Sequence, residues 1–229
     1  MNQREFRKQN PELFRLWVRH KFKFGENPIP QKDKNYIIAI VNDSWRCFVV
    51  LEYNDGWYSK NENDKTQDIN IPSKEIISFQ SQDISENEFE SLLIEIIKIY
   101  STEDLNNQLV ICCRTNGPGQ IVFDFLRKEI NMLEIDNVTI FPTSRRSKYG
   151  KELFKSIGTG WDMGQNDVKD CFDAMRTAQG EGFFILATDK TKQMFMTTSI
   201  DNPLDLEPFI YCWMMLSFIR LSTMQLFSE

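Results

Sequence analysis

The feature that most limits what this chain can become lies between Tyr36 and Lys60, where strand-forming segments follow one another with little between them. YIIAIV (36–41) is a short apolar run suited to a central strand whose two faces are both covered. WRCFVVLEY (45–53) is rich in aromatic and β-branched residues and reads as a second strand. Asn54, Asp55 and Gly56 tolerate positive φ, and WYSK (57–60) begins a third strand, so this turn is expected to close an antiparallel hairpin. NENDKTQD (61–68) reads as an exposed polar loop.

The pattern then alternates. Ser85 and Glu88 form a Ser-x-x-Glu capping box ahead of Phe89, Leu92, Leu93, Ile96, Ile97 and Tyr100, which mark one face of a helix. LVICC (109–113) is a short buried strand, and IVFDFLRKEINML (121–133) reads as a helix. VTIFPT (138–143) is a strand, DVKDCFDAMRTAQ (167–179) a helix closed by Gly180, and FFILAT (183–188) a further strand. A last apolar helix follows Pro203 or Pro208. Hairpin-connected strands followed by alternating helices and strands predict an α/β fold, a mixed sheet flanked by helices.

Residues 1–34 read as a helical arm and linker, and 35–229 as one domain. In the arm, Phe6, Leu13, Phe14, Trp17 and Val18 recur at helical spacing, giving a helix or helix pair split near Pro11. Such an arm either packs on the domain or docks a partner. GENPIPQKDK (25–34) reads as an extended linker. The net charge of −6 argues against a generally basic coat for nucleic acid, while leaving room for a local basic patch. Five cysteines without a C-x-x-C pair, after a charged start without an apolar leader core, point to reduced thiols in the cytoplasm. The most apolar run, Phe209 to Ile219, falls short of the roughly 20 residues a bilayer requires. No membrane association is expected, and that helix must be buried by this domain or by another subunit.

Common catalytic signatures are absent. The single His20 sits in the charged arm, so Cys-His or Ser-His-Asp catalysis would need it to travel to a pocket. The chain carries no zinc-ligand set, P-loop lysine motif or G-x-G-x-x-G fingerprint.

One junction is more specific. LVICC runs straight into Arg114-Thr115-Asn116-Gly117-Pro118-Gly119 and then a helix. Together with the order of elements over about residues 36–225, this resembles the ribonuclease-H-like nuclease domain of phage large terminases. There a strand ends in an acid, one residue, an Asn and a Gly-containing turn. Lys148 to Ala174 is similar to the family's segment in which a Gly-aromatic step precedes a helix, and NPLDL (202–206) resembles its terminal acidic turn. The resemblance implies a two-metal phosphodiesterase using Mg²⁺ or Mn²⁺, whose hard oxygen ligands converge from the first strand, the central strand and the last helix. It also implies a place in viral DNA packaging, in the host cytoplasm. Family members pair this domain with an ATPase motor, which this sequence does not encode.

Carried over residue by residue, the resemblance makes Asp43 and Asp205 the catalytic metal ligands, with Asp201 or Glu207 as a replacement third acid. Arg114 stands where the central acid belongs, and a cation there repels a divalent metal. Arg114, Asn116, Arg145, Arg146 and Lys148 are the candidate DNA contacts, with Lys151 and Lys155 nearby. Each has a plainer reading. Asp43 fits a turn, Asp205 a helix cap, Asn116 to Gly119 a tight connection, and the basic cluster a solvated loop. Cys112 and Cys113 read as buried strand packing. Two functions follow as expectations: a nuclease-derived domain that has lost catalysis and binds DNA or assembly proteins through its arm or last helix, or an active two-metal endonuclease.

Overall fold

The structure is a computed structural model and describes residues 3–25, 27–54, 57–62, 65–102, 105–135, 137–140, 165–198 and 206–221. Two short helices open the chain, α1 (Gln3–Gln9) and α2 (Pro11–His20), divided at Pro11. Pro11 occupies the first turn of α2, where its missing N–H costs nothing, and Asn10 caps that turn by accepting from the Leu13 N–H. Lys21 ends α2 in the left-handed conformation.

The strands are β1 (Lys23–Phe24), β2 (Asn35–Asn42), β3 (Arg46–Tyr53), β4 (Trp57–Glu62), β5 (Lys65–Asn70), β6 (Ser73–Ser81), β7 (Gln108–Cys113), β8 (Val138–Ile140) and β9 (Phe184–Ile185). The remaining helices are α3 (Glu86–Tyr100), α4 (Gly119–Met132), α5 (Gln165–Gly180), α6 (Asp189–Thr197) and α7 (Pro208–Leu221). Seven strands form one mixed sheet ordered β1-β6-β3-β2-β7-β8, with β9 also paired to β6. β2, β3 and β6 are successive antiparallel neighbours, whereas β7 pairs parallel with β2, and β8 parallel with β7. The fold is therefore α/β, a mixed open sheet with helices on both faces.

The Asn-Asp-Gly hairpin is corrected in its partners. β4 pairs with β5 in a separate two-stranded sheet, so part of the polar run expected to be a loop is strand. The third strand of the main sheet is β6, over SKEIISFQS, to which no strand was assigned from the sequence. α6 is likewise a helix the sequence reading did not include.

Alternation along the central strands divides the core in two. Ile38 and Ile40 of β2, with Leu109, Ile111 and Cys113 of β7, pack under α1, α2, α3 and α4. Ile37, Ala39 and Val41, with Val110 and Cys112, pack under α5, α6 and α7. The arm belongs to the first layer, since Phe6, Leu13, Leu16 and Phe22 are buried in it. The linker is pinned too, with Tyr100 Oη donating to the Pro28 carbonyl at 2.5 Å. α7 is buried at every position from Phe209 to Ser217. Burying each large apolar side chain contributes roughly 1.5–3 kcal/mol, so this helix is held by packing. Among the described residues, no helix is long and apolar enough to cross a membrane.

β6 carries a bulge at Ile76, because Val50 faces Ile77 while Leu51 faces Glu75. The extra residue turns Glu75 to the same side as Ser78, toward α6. The Glu75 carboxylate accepts from the Ala187 N–H at 2.7 Å and from Thr191 Oγ1 at 3.4 Å, and Ser78 also donates to it. Burial, with 2% of the residue exposed, pushes this carboxyl above its ordinary range, against the opposing effect of those hydrogen bonds.

A raised folded value means that protonation favours the folded state. Glu75's contribution is fully present below the ordinary glutamate range and is lost as pH rises from that range through the raised folded value. Melting temperatures recorded across that window are expected to fall less steeply for Glu75→Gln than for the unmodified chain; parallel curves would contradict this assignment.

A candidate functional site at the carboxyl ends of the central strands

β2 and β7 are apolar and buried until they end together. Ile40 lies beside Cys113 in register, and the Arg114 N–H donates to the Ile40 carbonyl at 2.9 Å. The first polar side chains beyond the core are consequently neighbours, sorted by alternation onto opposite faces. Asn42 faces α3 and α4, while Asp43 and Arg114 face α7.

On the α7 face, Arg114 Nη1 donates to Asp43 Oδ2 at 3.1 Å. The guanidinium carbon lies 4.0 Å from the centre of the Tyr211 ring, one turn into α7. The arginine side chain is 13% exposed and the aspartate side chain 45%, so one partner is sheltered and the other wet. Burial pushes the Tyr211 phenol up; the Arg114 charge opposes this and the Asp43 charge adds to it. Asp43 also shapes its own turn, accepting from the Ser44 N–H at 2.8 Å through Oδ1, while its N–H donates to the Trp45 carbonyl. Its turn role and its charged role coexist.

On the other face, Asn42 Nδ2 donates to Glu86 Oε1 at 3.3 Å and to the Pro118 carbonyl at 3.1 Å. Glu86 was not singled out from the sequence. The signal that points to it is directional: β6 runs parallel to β2, so the helix that follows β6 must start at this same end of the sheet. Ser85 caps α3 as the capping box predicts, accepting from the Glu88 N–H, while the Glu88 carboxylate itself accepts from Arg19.

The connection from Arg114 to α4 is as tight as its sequence suggests. Gly117 has φ +59°, and the Gly119 N–H donates to the Asn116 carbonyl. A Cβ on Gly119 would stand 1.9 Å from the Arg114 carbonyl oxygen, so only glycine lets α4 start this close to the strand.

Of the carboxylates that the resemblance implies, Asp43 and Glu207 are described, and Asp201 and Asp205 lie outside the described residues. Glu207 is exposed just ahead of α7, and its carbonyl accepts from the Ile210 N–H. Arg145, Arg146, Lys148, Lys151 and Lys155 also lie outside the described residues. Among the described residues, no three His, Cys, Asp or Glu side chains are grouped to hold a metal ion. With the Asp43 carboxylate engaged by a guanidinium, the described donors do not fit a Mg²⁺ or Mn²⁺ pair.

The thiols are packing groups. Cys112 and Cys113 are buried on opposite faces of β7, and burial pushes the Cys113 thiol up to about 12, with the Asp124 charge adding to it. A thiol held this far from thiolate is a poor nucleophile at neutral pH.

No protein-family model matches this chain, and no curated protein matches it.

Three stability measurements check this geometry by urea denaturation. Arg114→Ala removes both the ring contact and the sheltered guanidinium and is expected to cost about 2 kcal/mol. Asp43→Asn removes a half-exposed partner and is expected to cost under about 1 kcal/mol. Equal costs would show that Arg114 acts through the ion pair alone. Gly119→Ala is expected to cost at least about 2 kcal/mol, because backbone must shift to admit the methyl group.

Proposed function

We propose that this chain is a ribonuclease-H-like domain of the terminase-nuclease kind in which an internal ion pair replaces the metal centre. On this reading it is a binding or assembly module in viral DNA packaging or processing, working in the host cytoplasm, and not a nuclease. The fold reading is supported by the succession β6-β3-β2-β7-β8, three antiparallel strands followed by parallel strands reached through helices. The observation that carries the functional reading is Arg114. Its guanidinium takes the place beside Asp43 where a second carboxylate is needed to share a metal. A positive group there raises the electrostatic cost of bringing in a divalent cation.

The two routes to a protein partner are the arm and the last helix. The apolar face of the arm and the body of α7 are already covered within this chain. A partner of the arm therefore meets its outer side, where Arg7, Lys8, Arg15 and Arg19 are exposed. Arg15 and Arg19 bridge to Glu95 and Glu88 of α3 across exposed pairs, which are weak and readily exchanged.

Plasmid DNA incubated with the protein and Mn²⁺ or Mg²⁺ is expected to remain uncut. Metal-dependent cutting that disappears in Asp43→Ala would overturn the proposal in favour of an active endonuclease. The complementary variant, Arg114→Asp, sets a second carboxylate beside Asp43 and is expected to introduce Mn²⁺ binding detectable by calorimetry. Equal Mn²⁺ binding by the unmodified chain would show that the ion pair does not occupy a metal position.

A further inference from the structure

A cavity of about 460 Å³ opens where the arm meets the sheet, lined by Lys21, Lys23, Trp45, Ser78, Phe79, Gln80, Thr188, Thr191 and Phe209. Its volume falls in the range of small-molecule sites. It lies at the carboxyl end of β6 and beside the turn after β2, the end of an open α/β sheet where ligands settle. Neither Asp43 nor Arg114 lines it, though the Asp43 N–H donates to the carbonyl of Trp45 in its wall.

Its lining sorts by chemistry. Lys21 and Lys23 flank Phe22, which is buried and packs against Phe48 and Phe79. With Phe22 anchored inward, the two flanking lysines are exposed and line the cavity. No carboxylate is among the lining residues, so the lining's formal charge is positive on a chain whose net charge is −6. Trp45 and Phe209 supply flat apolar surface, whereas the Phe79 ring packs on the other face against Phe22, Phe48 and Phe89. Ser78 and Thr191 donate their hydroxyl hydrogens to Glu75 behind them, and Thr191 Oγ1 lies 2.9 Å from Thr188 Oγ1, so the Ser78 oxygen keeps lone pairs for a guest with N–H groups. Gln80 offers both a donor and an acceptor.

Two exposed cations, aromatic walls and acceptors inside describe one class of guest, a planar nitrogen-bearing ring with a pendant anion. We propose that this cavity binds a nucleotide-sized monophosphate, its phosphate held between Lys21 and Lys23 and its base lodged against Trp45 and Phe209. Charge-assisted bonds hold the phosphate, and stacking with apolar burial holds the base. Both halves are required, so the whole ligand must bind better than either part.

Calorimetry with AMP, adenosine and inorganic phosphate tests this. AMP is expected to bind at least about tenfold more tightly than adenosine or phosphate alone. The double variant Lys21→Glu with Lys23→Glu changes exposed residues and should keep the melting temperature while weakening AMP at least about tenfold. Gln80→Glu keeps the shape, adds negative charge inside the cavity and should also weaken AMP. Lys128→Glu, an exposed charge reversal on α4 at a position that does not line the cavity, should leave AMP binding unchanged. Absence of AMP binding at millimolar concentration would overturn the proposal, as would affinity that the lysine variant leaves intact. Phosphate binding as tightly as AMP would reduce the site to an anion contact and overturn it equally.

Discussion

Strand β2 is paired along both edges, by β3 and β7, and covered on both faces, by α3 and α4 on one and α7 on the other. A strand enclosed in this way carries no polar side chain across Ile37 to Val41, because nothing there could satisfy one. β7 obeys the same rule from Leu109 to Cys113. Polar chemistry is thereby driven to the strand ends, and parallel register sets the ends of β2 and β7 side by side. Asn42, Asp43 and Arg114 are the first side chains released from that constraint. Their meeting follows from burial, and their chemistry follows from which residues happen to stand there.

The energies of these contacts differ widely. The Asp43–Arg114 pair has one half-exposed member, and such pairs contribute at most about 1 kcal/mol. The packing beneath it, with Trp213, Phe123, Phe172 and the β2 isoleucines all buried, is larger by more than an order of magnitude in sum. The pair does not hold the fold together. What it fixes is the sign of charge at the strand ends. The aromatic ring of Tyr211 shelters the guanidinium, so removing Asp43 leaves the cation seated against α7.

Much of the sheet was legible in the sequence because the central strands are buried on both faces and interrupted sharply. YIIAIV and LVICC allow few other readings, and the capping serine of α3 marks a boundary locally, whereas α5 runs through the expected Gly180 and closes at Gly182, with φ +67°. The misreadings share one cause. Asn-Asp-Gly specifies a turn but does not name the partner of the strand that leaves it, and β4 finds that partner in β5. The third strand of the sheet, SKEIISFQS, mixes Lys74, Glu75, Ser78 and Gln80 with its apolar residues. The bulge at Ile76 breaks the period of two that would have revealed it. Glu75 is the residue such reasoning misses: it is charged in sequence, buried in space and partnered by residues more than 110 positions away. Of the candidate site, Asp43 and Arg114 were legible as residues because they directly follow the strands. Their pairing was not, since it depends on which face each side chain takes. Glu86 was hidden because its placement needs the direction of β6.

Charge is distributed unevenly along the chain. Residues 1–34 hold nine Lys and Arg against four Asp and Glu, leaving the remainder of the chain with 18 against 29. The segment that packs onto the first core layer is thus cationic, while the body it packs on is acidic. Its apolar side chains secure the attachment, and Arg15 and Arg19 lie over the acids of α3. Lys21 and Lys23 have no such acid among the residues that line the cavity beside them. Screening at physiological salt acts over about 8 Å, so an approaching anion senses these nearby ammonium groups more than the distant net charge. The acidic total therefore says little about what this surface attracts, and local placement of charge decides it.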